Sequence, residues 1–245
     1  MTKHLASISI FLSMSASLAS HASQHDLIGT AVNLKTNVPL YTEHHSFAEE
    51  NGETVMTTRY TTPDNRLLAE RKVAYEGDRV NRYELIQEFI DHQESVAREQ
   101  QSLTIRENRQ GVAKQKTIDV DDEKEVIIDA GFNNFIERNW DQLLDGKTLK
   151  AHFASPARMS VVKLQISRAP KKEQQDNTVV FEMTAANPII RLLIKPVEIG
   201  FYTSSKQLAF YKGVSNLRDE SREYFNVKIS FDEQQAVSSP TLAAR

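Results

Sequence analysis

The chain has 245 residues with a formal net charge of −3, and 40% of its residues are hydrophobic and 26% are charged. Such a composition supports a buried core, which excludes an intrinsically disordered chain, and the mild acidic balance argues against nucleic acid as a partner. The sequence contains no cysteine, so structural disulfides, a thiolate nucleophile and a lipid-modified N-terminal cysteine are excluded.

The first 22 residues have the pattern of a cleaved secretory signal peptide. Lys3 supplies a short basic region, residues 5–18 are apolar or small, and Ser20 and Ala22 form a small-x-small cleavage motif. A membrane anchor is the alternative, but the run is short and rich in serine for a span of about 20 apolar residues. No later stretch is apolar enough for a spanning helix. We therefore expect a soluble protein exported to a bacterial periplasm, without a transmembrane segment after cleavage.

The residues that follow alternate with the period of β-strands, and turn residues separate the runs. We predict strands at 27–34, 39–47, 53–61, 66–75 and 79–90. Arg71 interrupts an apolar row in the fourth of these, either as an edge residue whose tip reaches water or as a cation that faces a cavity. Residues 91–122 are harder to interpret, because 94–101 have helical propensity whereas 102–106 and 112–120 alternate like strands. Long polar strands in a hairpin are the preferred interpretation.

One amphipathic helix is predicted at about 130–145. Its apolar stripe runs from Phe132 to Trp140 at helical spacing, and polar residues fill the opposite face. Asp129 or Asn133 is the expected N-terminal cap, and Gly146 is expected to end the helix in a left-handed conformation. The helix divides two sets of strands.

After the helix the strand pattern resumes. Further strands are predicted at 148–154, 159–168, 178–185, 189–195, 198–203, 207–212 and 224–231, with a loop at 213–222. The predicted fold is mainly β: an antiparallel meander that forms a curved sheet or half-open barrel, with the helix packed on or across it. Residues 23–231 are expected to form a single domain, and residues 232–245 a disordered tail.

The sequence offers few candidates for chemistry. Glu43 and His45 share one face of a strand and are the best pair of metal ligands, but the sequence does not place His92 or His152 beside them. Ordinary surface histidines explain these residues better. The Gly-x-Ser-x-Gly and Gly-x-Gly-x-x-Gly motifs are both absent. We therefore predict no catalytic residue, no metal site and no cofactor.

Binding of an apolar ligand is the preferred hypothesis. If the helix lies across the mouth of a curved sheet, Phe132, Ile136 and Trp140 would line a cavity, with Arg71 and Arg158 as cations near it. Core packing of the same stripe is the alternative. The leading function is non-catalytic binding of a lipid or other hydrophobic ligand, the second is an envelope protein–protein interaction or structural module, and the third is a hydrolase of unknown type.

Several short motifs resemble an uncharacterised β-rich family of the Gram-negative periplasm. They are Leu-Tyr-Thr-Glu-His at 40–44, Asp-Ala-Gly-Phe at 129–132, Asn-Trp-Asp at 139–141 and Phe-Tyr-Lys-Gly-Val-Ser-Asn-Leu at 210–217. In architecture the expected protein is distantly similar to the periplasmic lipoprotein carriers of the LolA/LolB type. The resemblance implies an apolar cavity in a half-open barrel.

Overall fold

The fold was analysed in a computed structural model that describes residues 27–121, 125–170, 177–193 and 195–233. The predicted signal peptide lies outside the described residues, as does all but the beginning of the predicted tail. In the described part of the chain, no helix combines the length and the apolar character needed to cross a bilayer.

Fifteen strands form one sheet in the described residues. They are β1 (Leu27–Asn33), β2 (Pro39–Glu50), β3 (Glu53–Thr61), β4 (Leu67–Glu76), β5 (Arg79–Gln87), β6 (His92–Glu99), β7 (Ser102–Arg109), β8 (Val112–Asp119), β9 (Val126–Ile127), β10 (Leu149–Ser155), β11 (Ser160–Arg168), β12 (Thr178–Ala185), β13 (Val197–Tyr202), β14 (Leu208–Arg218) and β15 (Tyr224–Phe231). The helices are α1 (Gly131–Arg138), α2 (Trp140–Leu144) and α3 (Pro188–Leu193), and short 3-10 turns occur at Glu88–Ile90 and Pro156–Arg158.

The sheet is a long meander in which the first strand, β1, pairs with the last strand, β15, at the middle of the strand order. Strands β1 to β8 pair in sequence order, β1 also pairs with β15, and the order then runs back from β14 to β10. All these pairs are antiparallel, whereas β9 pairs in parallel with β10 at the far edge. Among the described residues, strands β8 and β9 stand at the two ends, so hydrogen bonding between these strands does not close the sheet. The predicted fold class, a mainly β antiparallel half-open architecture with few helices, is confirmed.

The inner face of the sheet holds two large apolar clusters. The first joins β1 to β7 with β14 and β15, and includes the fully buried Tyr60, Leu85 and Ile105. The second joins β10 to β13 with the helical segment, and includes Ile136 and Phe181. Buried and more exposed residues alternate along β15 (Tyr224–Phe231), as in a strand with one face in the core.

The predicted helix exists but is interrupted at Asn139, where α1 ends and α2 begins. The Asn139 side-chain amide donates to the Phe135 carbonyl (2.9 Å), so it competes with the backbone ladder. Gly146 follows α2 with a φ of 83°, in agreement with the prediction. The predicted cap is wrong: Ala130 holds the N-cap position without a side-chain hydrogen bond, and Asp129 instead forms an ion pair with Arg71.

Two further predictions are corrected by the structure. The strand predicted at 189–195 is wrong for residues 189–193, because Pro188 begins α3 and the Asn187 side chain accepts a hydrogen bond from the Ile189 N–H (2.9 Å), as helix caps do. Residues 213–218 are not a loop, because they continue β14 in pairing with β15. In the uncertain stretch 91–122, strands β6, β7 and β8 confirm the preferred interpretation.

Candidate ligand cavity

A large cavity lies between the inner face of the sheet and α1. Its volume is about 1290 Å³, and its walls come from both halves of the sheet, the loop before α1, α1 itself and the 3-10 turn Pro156–Arg158. Its surface is more apolar than polar; apolar lining residues include Phe47, Met56, Val96, Phe153, Leu164 and Ile229. The volume exceeds the roughly 300–1,000 Å³ that is usual for small-molecule pockets. The two clusters therefore do not fill the concave face.

A continuous polar chain crosses one wall of this cavity, from β2 to the start of α1. His45 lies between Glu43 and Thr58: its Nε2 is 3.0 Å from Glu43 Oε2, and its Nδ1 is 2.9 Å from Thr58 Oγ1. Arg71 Nη2 donates to Thr58 Oγ1 (3.1 Å), and Arg71 Nη1 lies 3.1 Å from Asp129 Oδ2. Because a guanidinium only donates, Thr58 can donate to Nδ1, which leaves the proton on Nε2 for Glu43. The hydrogen bonds of this polar chain therefore all run in one direction, from Arg71 through Thr58 and His45 to Glu43.

Arg71 is held in this wall by charge and by an aromatic ring. Its side chain is 12% exposed and that of Asp129 is 13% exposed, and its guanidinium carbon lies 5.8 Å from the centre of the Tyr60 ring. Burial by itself lowers the pKa of Arg71, but Asp129 and other neighbouring groups outweigh it and raise the pKa above its usual value. Arg71 is therefore a permanent cation on the cavity wall, in a central strand rather than at an edge of the sheet.

The polar chain resembles a hydrolytic triad only in its residue types. A carboxylate, an imidazole and a hydroxyl follow one another in Glu43, His45 and Thr58, as in such triads. However, Thr58 is fully buried and is not among the residues that line the cavity. Its hydroxyl also accepts a hydrogen bond from Arg71. This geometry does not present the Thr58 oxygen to a substrate in the cavity, and it gives the hydrolase hypothesis no support.

A second polar region lies on β5 to β7. The Tyr83 hydroxyl donates to Glu94 Oε1 (2.6 Å), and Glu94 also lines the cavity. Burial raises the pKa of Glu94 to about 7, although the hydrogen bond from Tyr83 opposes the shift. Burial is the largest cause that lowers the pKa of His92, and the nearby positive charge of Arg218 lowers it further. This region therefore holds a neutral imidazole beside carboxyl groups, at some distance in sequence from the polar chain.

The structure places the five sequence-predicted ligand residues in two environments. Arg71, Phe132 and Arg158 line the cavity, whereas Ile136 and Trp140 do not. Ile136 is 0% exposed and Trp140 is 6% exposed, and both belong to the second apolar cluster. α1 therefore presents Phe132 and polar residues such as Glu137 to the cavity, whereas the apolar side chains of Ile136 and Trp140 pack against the sheet. That any of the five contacts a ligand stays a prediction.

Trp140 is the centre of the helix packing. Its ring meets Phe181 edge-on at 5.5 Å and Phe201 edge-on at 5.8 Å, measured between ring centres. Lys206 Nζ lies 5.5 Å from the centre of the indole ring. Trp140 therefore packs in the core, beside two residues, Phe201 and Lys206, that also line the cavity.

Sequence reasoning missed much of the site. It placed Glu43 and His45 on one face, which the structure confirms, but it took His45 for a surface residue, whereas His45 is 5% exposed. It also did not join the pair to Arg71 through Thr58. The signal for that link is the hairpin register: Thr58 pairs with both His45 and Arg71 on the neighbouring strands. It also passed over Glu94, because residues 91–122 had no firm interpretation.

Comparison with known proteins gives a likeness to a solved structure. No family model matches the sequence, and no curated protein matches it in sequence. Among solved structures, the chain is similar to the crystal structure of a β-barrel-like protein of the domain of unknown function DUF1849 from Brucella abortus, with a TM-score of 0.49, 10% sequence identity, and coverage of 85% of this chain and 94% of that chain. The neighbour is also β-rich and of unknown function. The likeness to lipoprotein carriers and the Gram-negative periplasmic setting stay predictions.

Proposed function

We propose that this protein binds a lipid or another hydrophobic ligand in its cavity, in the periplasm and without catalysing a reaction. The observation that carries the proposal is the cavity of about 1290 Å³ with a mainly apolar wall. Leaving so much apolar surface in contact with water is unfavourable, at roughly 25 cal/mol per Å². A ligand that covers this surface recovers that free energy.

The volume of the cavity and two exposed cations on its wall favour an amphiphile with an acidic head group. The volume is larger than a drug-sized molecule needs, which suits long acyl chains. Arg158 and Lys206 line the cavity, and both are exposed to solvent. Cations in such a position can hold a carboxylate or phosphate in contact with water while the chains occupy the interior.

The proposal is tested by native mass spectrometry of the purified protein, followed by titration with oleate and with the uncharged oleyl alcohol. We expect bound lipid or a one-to-one complex with oleate, and weaker binding of the alcohol. If the protein carries nothing and neither compound binds, the proposal is wrong.

A matched pair of variants tests whether the ligand occupies this cavity. Val162 on β11 lines the cavity, and its neighbour Lys163 is exposed on the other face of the strand. Val162→Phe should weaken oleate binding by about tenfold or more, equivalent to roughly 1.4 kcal/mol. Lys163→Phe should leave binding unchanged. Equal effects from both variants would place the ligand elsewhere.

Pairing with a partner strand is the second candidate function. Strand β8 is a terminal strand of the sheet, and nearly all of its residues are exposed, so its outer edge can accept another strand. Lys114 and Lys116 lie on this strand, and charged edge residues usually oppose such pairing. Site-specific crosslinking from Gln115 tests it: a specific adduct supports pairing, and its absence leaves ligand binding as the better explanation.

A further inference from the structure

A buried cluster of three potential metal ligands lies on the β6–β7 hairpin. His92 and Glu94 are two residues apart on β6, so their side chains share a face. Glu107 on β7 is directly opposite Glu94 in the hairpin register. This arrangement places two carboxyl groups face to face, a contact that is unfavourable between like charges.

The distances within the cluster suit a shared ion better than hydrogen bonds. His92 Nε2 lies 3.7 Å from Glu94 Oε2 and 3.7 Å from Glu107 Oε1, which is too long for a hydrogen bond. One ligand atom from each residue lies within 4.8 Å of the other two. Atoms that bind one metal ion at about 2.1 Å are roughly 3–4 Å apart. The three side chains therefore converge on a space of the right size for an ion.

The imidazole gives an independent indication of a ligand. The His92 side chain is 3% exposed, and within the described residues neither of its ring nitrogens has a hydrogen-bond partner. Buried polar atoms are nearly always paired, so two unpaired ring nitrogens require an explanation. Because Nε2 is directed at both carboxylates, an ion between the three groups would satisfy it.

Neighbouring side chains hold both carboxylates in place, but they neutralise the charge of only one of them. Tyr83 donates to Glu94 Oε1, and Arg109 Nε donates to Glu107 Oε1 (2.6 Å). Such outer contacts orient the ligands in metal sites. Arg218 also lies nearby, but its guanidinium donates to the Arg222 carbonyl and to the Tyr224 hydroxyl. Of the two carboxylates, therefore, only Glu107 is paired directly with a cation in these contacts.

We propose that His92, Glu94 and Glu107 bind a divalent transition-metal ion of the class of zinc or manganese. One nitrogen and two oxygen ligands suit these ions, and three protein ligands leave a further coordination position open. The ion can reach the site because Glu94 lines the large cavity. The metal site does not depend on what the cavity carries.

Calorimetric titration of the chelator-treated protein with Zn²⁺ and Mn²⁺ tests the site. We expect one equivalent of metal to bind to the unmodified protein. His92→Gln and Glu107→Gln should each weaken binding at least tenfold, because each removes one of three ligands. His44→Gln should bind as the unmodified protein does, since His44 is an exposed histidine on β2. Absence of binding to the unmodified protein, or an equal loss in His44→Gln, would overturn the proposal.

X-ray absorption at the zinc edge gives a test that needs no variant. The unmodified protein with one equivalent of Zn²⁺ should show a shell of nitrogen and oxygen ligands with the scattering signature of one imidazole. A signature of two or more imidazoles would assign the ion to another set of histidines and would refute the site.

Discussion

The ion pair between Arg71 and Asp129 is expected to be a major determinant of stability. Both side chains are nearly buried, at 12% and 13% exposed, so Arg71→Met leaves the Asp129 carboxylate inside the protein without its cation. Removal of one partner from a buried pair reduces the free energy of unfolding by about 3–5 kcal/mol. The double variant Arg71→Met/Asp129→Asn removes the stranded charge as well, and asparagine tolerates the positive φ of residue 129 (39°). We therefore expect the double variant to be no less stable than Arg71→Met.

The measurement is a double-mutant cycle by equilibrium unfolding in urea, with an exposed pair on the same strands as the control. Arg59 and Glu70 lie opposite each other on β3 and β4 at 3.6 Å, but their side chains are 58% and 34% exposed. Their coupling energy should be between about 0 and 1 kcal/mol. The coupling between Arg71 and Asp129 should be about 2 kcal/mol or more. A value no larger than that of the exposed pair would show that the reasoning from burial is wrong.

Three other substitutions test the packing. Trp140→Ala should reduce the free energy of unfolding by about 3–5 kcal/mol in urea titrations, because it opens a cavity between two phenylalanine rings; unchanged stability would contradict the core assignment. Gly200→Ala should reduce it by about 1–3 kcal/mol, measured by thermal unfolding, since the new Cβ would lie 2.2 Å from the Phe210 ring. Tyr41→Phe should reduce it by about 0.5–1.5 kcal/mol in urea, because it removes the buried hydrogen bond to Ser215 Oγ (3.0 Å), and no effect should be seen in a Ser215→Ala background.

Most strands could be predicted because their residues alternate between a solvent-exposed face and a buried face. Strands β3, β12 and β15 have the bounds that the pattern predicts. The pattern failed at α3, a short and mostly apolar segment, because periodicity does not distinguish a short helix from a strand there. In that segment Asn187 and Pro188 were the better signals, since they form a helix start. The end of β14 was missed because its pairing with β15 contains a bulge, which disturbs the alternation.

The candidate sites depend on register, which single-strand patterns do not contain. Glu43 and His45 were paired correctly because they lie on one strand. The link through Thr58 to Arg71 requires the alignment of three strands, and the ion pair with Asp129 requires the position of the helix as well. Similarly, Glu94 and Glu107 face each other only once the β6–β7 hairpin is known. The helical propensity of residues 94–101 concealed that hairpin, because tertiary pairing overrides local preference.

The helical segment explains how a sheet with two free ends maintains a cavity. Along α1, Asn134 donates to the Asp78 carbonyl (2.7 Å) and Arg138 pairs with the Asp78 carboxylate, which fixes α1 to the turn between β4 and β5. Trp140 fixes α2 to the strands on the other side. The segment thus connects the two halves where strand hydrogen bonds do not.

Two ion pairs connect α1 or the residue before it to the β4–β5 side of the sheet, and the exposure of their side chains shows which contributes more to stability. The Arg138–Asp78 pair has side chains that are 37% and 56% exposed, so water screens it and it contributes about 1 kcal/mol or less. The buried Arg71–Asp129 pair, at the start of the same helix, is worth several times more when one partner is lost. Loss of that pair should therefore release the beginning of α1, which carries Phe132, from the cavity wall. Arg71→Met should consequently weaken ligand binding as well as stability, whereas Arg138→Met should change stability little.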